Sequence, residues 1–236
     1  MFIMGTTIVQ WFKLLIRNGF DVSLRYVPRA FFITLVITLL SPLVMVERLI
    51  YQKKIMKTEV KKPPIFILGH FRNGTTHVQN LLSRDKRLGY LTISEGTCPH
   101  IFISCHRLIH LVLKNVLPKK RPMDDMNLSD EFPGEHDWSL ANMCLLSPYT
   151  GIHFSEHLSD YIIKYGNFAT ASEKELKLWK KNLNYLIKKL TLKKKGKQLV
   201  LKSPLDTARL KILFEMFPDA KFIHIYRNPY EVFFNH

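Results

Sequence analysis

Cysteine is scarce in this chain, with only Cys98, Cys105 and Cys144 among 236 residues. Their number is odd and their spacing matches no zinc motif. A disulfide framework is therefore excluded as an organising principle, and free thiols in a reducing compartment are expected. Acidic residues are also few, 19 against 35 lysines and arginines, which leaves a formal charge of +16. That imbalance implies an anionic partner: nucleic acid, anionic lipid or a multiply phosphorylated small molecule. Residues 1–20 lack the long apolar core and small-residue cleavage site of a cleavable leader, so none is expected. No internal repeat is visible, and the one biased tract is the lysine-rich stretch at 188–197.

Apolar side chains make up 47% of the chain and charged ones 23%, the balance of a packed globule rather than a disordered tail. Residues 30–46 are apolar apart from Thr34, Thr38 and Ser41, and Arg25, Arg29, Arg48 and Lys53 flank them. A spanning helix needs roughly 20 apolar residues, so this run, with Pro42 near its end, is a little short. An interfacial or core-packed helix and a true membrane span both stay open, and the basic flanks suit an anionic membrane surface in either case. Lys61-Lys62-Pro63-Pro64 reads as a boundary, because two prolines end a helix and launch an extended segment. Two regions follow: an N-terminal helical, membrane-associated segment over 1–62 and an α/β domain over 63–236.

Within that domain, Ile65-Phe66-Ile67-Leu68 is a short apolar run closed by Gly69, as in a buried parallel strand. Val78, Leu81 and Leu82 then recur at helical spacing. A second strand is predicted over 199–201. A helix from Ser203-Pro204 or Asp206 follows, with Leu210, Leu213, Phe214 and Phe217 on its inner face. A third strand is predicted over 222–226, and Arg227-Asn228-Pro229 then turns into another helix. Strand–helix alternation argues for a parallel sheet with flanking helices. Residues 95–195 read as mostly helical. Over 173–192, Leu176, Trp179, Leu183, Leu186, Ile187 and Leu190 form a core-facing stripe. The lysines after it read as a solvated helix end favoured by the helix dipole.

The segment Gly69-His70-Phe71-Arg72-Asn73-Gly74-Thr75-Thr76 has the outline G-x-x-x-x-G-T-T between strand and helix. In that setting successive backbone N–H groups point inward and the helix N-terminus adds partial positive charge, which suits phosphate or sulfate oxygens. A Walker A loop places lysine where Thr75 stands, and here the basic residue is Arg72, inside the loop. With no strand-end Asp for magnesium either, a kinase or NTPase is disfavoured. Nucleic-acid binding ranks low, because the charge is spread and no binding module is seen.

At these residues the chain resembles the sulfotransferases that use 3′-phosphoadenosine 5′-phosphosulfate (PAPS). PIFILGHFRNGTTHVQNLLSRD is similar to their 5′-phosphosulfate-binding loop, and LVLKSPLDTARLKILFEMFPDAKFIHIYRNPYEVFFN to their 3′-phosphate-binding strand and helix. The similarity of spacing extends through RPMDDMNLSDEFPGEHDWSLANMCLLSPY, and it is strongest to the bacterial-type branch with an apolar N-terminal segment. The resemblance implies a P-loop-like α/β fold and PAPS as sulfuryl donor, with no metal. It implies that Arg72 and the backbone of Asn73, Gly74, Thr75 and Thr76 hold the 5′-phosphosulfate and that Arg227 binds the 3′-phosphate. Asn235 stands where the family usually has serine, and asparagine can still donate. Relatives continue beyond the 3′-phosphate motif, so a chain ending at His236 reads as short at its C-terminus. A non-catalytic, membrane-peripheral nucleotide binder is the rival reading on that ground.

For the chemistry, Lys202 at the end of the second strand is placed to stabilise the bridging oxygen of the leaving nucleotide. Glu135, in Pro133-Gly134-Glu135-His136-Asp137-Trp138, is the preferred general base, with His136 as the alternative. Asp206, near the strand-end lysine, reads as a helix cap. His100, His106 and His110 lack a convincing third ligand and read as ordinary groups. The expected partners are PAPS or its bisphosphate product and a small-molecule or lipid-like hydroxyl acceptor, at a cytoplasmic location with membrane association on that face.

Overall fold

The structure, a computed structural model, describes residues 2–118, 120 and 128–234. The helices are α1 (Ile8–Arg17), α2 (Val27–Lys57), α3 (Thr75–Leu82), α4 (Ile93–Thr97), α5 (His106–Val116) and α6 (His136–Cys144). They continue with α7 (Pro148–Gly151), α8 (Leu158–Tyr165), α9 (Glu173–Lys193), α10 (Leu210–Met216) and α11 (Pro229–Phe234). The strands are β1 (Ile65–Leu68), β2 (Leu88–Tyr90), β3 (Gln198–Lys202) and β4 (Lys221–His224).

Among the described residues the four strands run parallel in the order β2-β3-β1-β4. The apolar run of β1 is buried because it has a strand on each side and helices on both faces. Phe66 pairs with Leu201 on one side and with Phe222 on the other. Its ring stacks on Phe222 at 5.7 Å. Since the strands are parallel, the segments leaving β1, β3 and β4 all emerge at one sheet edge. The loop after β1 lies between the ends of β3 and β4, the crevice where open α/β sheets place their ligands.

Helix α9 starts at a capping box: Ser172 Oγ accepts from Glu175 N–H, and the Glu175 carboxylate accepts from Ser172 N–H. It buries Trp179, Leu183, Leu186, Ile187 and Leu190, the stripe its 3.6-residue period predicts. Of the lysines at its end, Lys195 and Lys197 are exposed as expected, and Lys189, Lys193 and Lys194 are not. Lys189 is buried, with Nζ 2.5 Å from Glu47 Oε1, 2.7 Å from the Pro99 carbonyl and 4.3 Å from the centre of the Phe102 ring. Lys193 and Lys194 reach buried Glu95 at 3.2 and 2.8 Å. The buried carboxylates Glu47 and Glu95 draw these cations inward. Burial alone would raise the Glu95 pKa, but Lys194 and Lys193 outweigh it and hold it below the ordinary value.

The helix after β3 also differs from its predicted phase. Ser203 caps a 3₁₀ turn over Pro204–Arg209, and Asp206 and Arg209 within that turn are fully buried. Asp206 therefore points into the protein and does not cap the helix. With 206 and 209 facing in, the inward stripe continues through Leu213 and Met216, and Leu210 and Phe214 turn to the exposed side.

The N-terminal helices pack against this domain. The inner face of α2 buries Ile33, Ile37, Glu47 and Ile55. Glu47 Oε2 accepts from the N–H groups of Ile103 and Ser104 at 3.1 and 2.7 Å and from Ser104 Oγ. Glu47 and Lys189 thus join α2 to α9 through a buried ion pair. Replacing Glu47 by Ala strands the lysine charge and is expected to lower stability by about 3–5 kcal/mol. Urea denaturation checks this. The double replacement Glu47→Leu/Lys189→Met should recover most of the loss if the stranded charge is its cause.

Acid sensitivity has a separate origin. Burial, helped by Lys189, pushes His100 down from 6.5 to about 4. Burial also takes His153 to about 4, with Arg29 adding to the effect. Both are neutral in the fold but take up protons in the unfolded chain, so their stability is complete above pH 6.5. It is lost as pH falls toward 4. Melting temperatures followed from pH 7.5 down to 4.5 should decline, and His100→Gln/His153→Gln should flatten that slope.

Candidate active site

The loop after β1 is held in a shape that few sequences permit. A Cβ on Gly69 would lie 2.6 Å from Thr75 Cγ2 and 2.7 Å from the Ile225 carbonyl oxygen, so only glycine fits. Gly69 N–H donates to Thr207 Oγ1 at 2.9 Å, and Asn73 Nδ2 donates to the Ile225 carbonyl at 3.2 Å. The loop is thereby fastened to the segments after β3 and β4. Arg72 and Gly74 take left-handed conformations, φ 68° and 88°, on either side of Asn73. Within the turn Asn73 N–H donates to the His70 carbonyl at 3.3 Å, and α3 begins at once with Thr75 and Thr76, so the first N–H groups of the helix lie at the end of the loop.

Lys202, the last residue of β3, lies beside this loop and is 3% exposed. Its ammonium donates to Thr76 Oγ1 at 3.3 Å and to Glu135 Oε1 at 2.5 Å. Glu135 is the N-cap residue of α6, and its other oxygen accepts from Tyr149 Oη at 2.5 Å. Tyr149 stacks on Trp138, with ring centres 4.2 Å apart. Gln79, buried on α3, donates to the Gly134 carbonyl at 3.3 Å and links the helix after the loop to the carboxylate's own segment. A basic group, a half-buried carboxylate and a glycine-bounded turn at a helix N-terminus thus converge at the sheet edge. Such a set can hold an anion, offset charge on a leaving oxygen and accept a proton.

Comparison with known proteins bears directly on this arrangement. A model of the sulfotransferase family matches residues 63–236. The chain belongs to the sulfotransferase family. It is 34% identical over 229 residues to the omega-hydroxy-beta-dihydromenaquinone-9 sulfotransferases Stf3 of Mycobacterium bovis and Mycobacterium tuberculosis. That alignment covers 97% of this chain and 58% of those proteins, so the chain spans under two thirds of the length of the curated relatives it matches. Among solved structures, the fold is similar to sulfotransferase STF1 of Mycobacterium tuberculosis, with TM-score 0.60 and 17% identity over 95% of this chain and 62% of that one. It is also similar to STF9 of Mycobacterium avium, with TM-score 0.54 and 19% identity over 96% and 64%. The P-loop-like parallel sheet with flanking helices and an apolar N-terminal helix is the fold of this family member.

Of the residues singled out from sequence, the structure brings together Arg72, Asn73, Gly74, Thr75 and Thr76 in the loop, with Lys202 and Glu135 beside it. His136 follows Glu135 in sequence but turns the other way. It is completely buried, its edge lies against Phe66, and its Nε2 is 3.2 Å from Asp206 Oδ1. Burial would lower the His136 pKa, but the charges of Asp206 and Asp137 outweigh it and hold it above 6.5. Burial raises Asp206 above the ordinary carboxylate range. Arg227 follows β4 with its side chain 45% exposed, and its Nε donates to Glu231 one helical turn on at 2.9 Å. Asn235 lies outside the described residues.

His136, Asp137 and Asp206 offer ligand atoms within 4.8 Å of one another. Arg209 Nη1 already contacts both Asp137 oxygens at 2.9 Å, so a fixed cation holds that carboxylate. His110 pairs with Asp130 at 2.8 Å and His100 faces the Asn142 carbonyl, so they do not share a site. Tyr149, Thr207 and Gln79 were not legible beforehand, since each acts through a partner more than 10 residues away in sequence. Gly69→Ala should displace the loop and weaken anion binding by more than about tenfold with the fold retained. Titration with adenosine 3′,5′-bisphosphate, beside a far-ultraviolet spectrum, measures both.

Proposed function

We propose that this chain carries the donor site and catalytic pair of a PAPS-dependent sulfotransferase acting on a lipid-like hydroxyl. The observation that carries this reading is Lys202, whose ammonium joins the anion loop at Thr76 to the carboxylate of Glu135. The backbone of Asn73, Gly74, Thr75 and Thr76, with Arg72, holds the 5′-phosphosulfate, and Arg227 exchanges Glu231 for the 3′-phosphate. The acceptor oxygen attacks sulfur in line. An O–S bond forms to the acceptor as the S–O bond to the 5′-phosphate breaks, and the acceptor proton passes to Glu135. Lys202 offsets the charge left on the phosphate oxygen. The products are a sulfate ester and adenosine 3′,5′-bisphosphate, and positioning and electrostatics supply most of the rate. Glu135 takes the role of base in preference to His136, which has no solvent-facing atom.

A lipid-like acceptor is supported by the naming of the mycobacterial relatives for a hydroxylated menaquinone and by the apolar N-terminal helices of this chain. Such an acceptor places the protein at a membrane surface, on the cytoplasmic face where PAPS is available.

Calorimetric titration should show adenosine 3′,5′-bisphosphate binding, ATP binding at least about tenfold more weakly, and loss of that preference in Arg227→Ala. Equal binding of the two nucleotides would overturn the donor assignment. In a transfer assay with labelled donor, Lys202→Ala should cost about 10²–10³ in rate and Glu135→Gln about 10²–10⁴, with bisphosphate binding retained. Transfer to soluble sugars but to no lipid extract would overturn the acceptor class.

A further inference from the structure

From Ala30 to Val46 helix α2 carries no charge and is apolar apart from Thr34, Thr38 and Ser41, yet only 17% of its most apolar stretch is buried against the protein. A helix of that kind needs a cover on both sides, and the domain supplies one. The inner side holds Ile33, Ile37 and Glu47, while Phe32, Leu35 and Leu39 are about half exposed or more on the other. Helix α1 repeats the pattern. Trp11 and Leu14 face in, and Val9, Phe12 and Ile16 stand out at helical spacing. Trp11 Nε1 donates to Thr34 Oγ1 at 2.8 Å, which ties the two helices together.

The polar groups of α2 are already satisfied. The hydroxyls of Thr34, Thr38 and Ser41 each donate to the carbonyl four residues back, at 2.7–2.9 Å. Glu47, the one acid within α2, is buried on Lys189. Residues 1–57 hold eight Lys and Arg against two acids, and the exposed cations Arg25, Arg29, Arg48 and Lys53 lie near the two ends of the apolar stretch. An apolar face without free polar groups, bounded by cations, is complementary to an anionic bilayer surface.

We propose that the outward faces of α1 and α2 seat this protein in one leaflet of an anionic membrane, with α2 lying on the bilayer and not crossing it. A spanning α2 would have to leave the domain, exposing Ile33 and Ile37 and breaking Glu47 from Lys189. That would strand a buried charge, and docking in one leaflet leaves the inner face intact. The inference rests on the lipid-acceptor reading for the choice of lipid over a second protein as the cover.

The test uses the full chain, with no donor or acceptor present, sedimented with phosphatidylcholine vesicles containing either no phosphatidylglycerol or about one third of it. Binding should require the anionic lipid, and Leu35→Glu/Leu39→Glu should weaken it by more than about tenfold. The variant's binding of adenosine 3′,5′-bisphosphate should be unchanged, which shows that it is folded. Wild-type protein that ignores anionic vesicles would overturn the proposal, as would a variant that binds them as well as wild type. A dimer in light scattering that Leu35→Glu/Leu39→Glu splits would assign the face to a second copy instead. Protection of α2 from protease added on both sides of the vesicle would mean a span. Transfer to a detergent-dispersed lipid alcohol is read separately, so failure of docking and failure of the acceptor reading give different results.

Discussion

Strand β1 lies between two strands that arrive more than 130 residues later, and the site follows from that placement. Because β3 and β4 flank it in parallel, residues far apart in sequence are delivered to one sheet edge at fixed offsets. Ile67 is in register with Lys202, so the β3 lysine stands level with the end of β1 and beside the turn that follows. Ile225 continues the pairing past β4, its N–H donating to the Leu68 carbonyl at 2.9 Å. Its own carbonyl is then available to Asn73 and closes space that any side chain on Gly69 would need. The loop therefore takes its shape from both neighbouring strands. The two left-handed residues within it are tolerable because the contacts around them over-determine the backbone.

Buried charge pairs do for the helical half what strand register does for the sheet. Glu47–Lys189, Glu95–Lys194 and Asp137–Arg209 each join segments that are distant in sequence. Arg209 is the most enclosed of these. It donates to the Gly166 and Tyr165 carbonyls and lies about 5 Å from the rings of Phe168 and Trp179. A buried pair is weak evidence for net stability, since desolvation opposes the Coulombic gain. It does penalise every alternative packing that separates the partners. These pairs therefore act chiefly on arrangement, holding α2 to α9, α4 to the end of α9, and the turn after β3 to α6.

The parts of this architecture that were legible in sequence are those with a period or a motif. The apolar run of β1, the glycine-bounded turn, the α9 stripe and the strand–helix alternation each have a local cause, and each took the predicted form to within a residue or two. Lys189, Lys193 and Lys194 went the other way, because a helical period says which side a residue is on and nothing about a carboxylate 90 or more positions earlier. The phase of α10 was missed for a related reason. Asp206 and Arg209 look like surface residues until Asp137 and His136 are known to lie behind them. At the site, Lys202 and Glu135 could be named from the family pattern. Tyr149 could not, since Ser147-Pro148 signals only the start of a helix.

The closed contact between Lys202 and Glu135 has a bearing on how the proposed chemistry would begin. While Glu135 Oε1 is taken up by the Lys202 ammonium at 2.5 Å, that oxygen does not face an acceptor hydroxyl, and the lysine is turned from a leaving group. Both roles require the pair to open. The donor itself is the natural agent, because a phosphosulfate bound beside Thr76 brings anionic oxygens to an ammonium already 3.3 Å from that hydroxyl. Were Lys202 to turn from Glu135 to the donor, Oε1 would become available to an acceptor hydroxyl. Tyr149, still bonded to Oε2 and stacked on Trp138, keeps the carboxylate from swinging away. On this reading, donor binding arms the base, and the acceptor is not deprotonated before a sulfuryl group is in place to receive its oxygen.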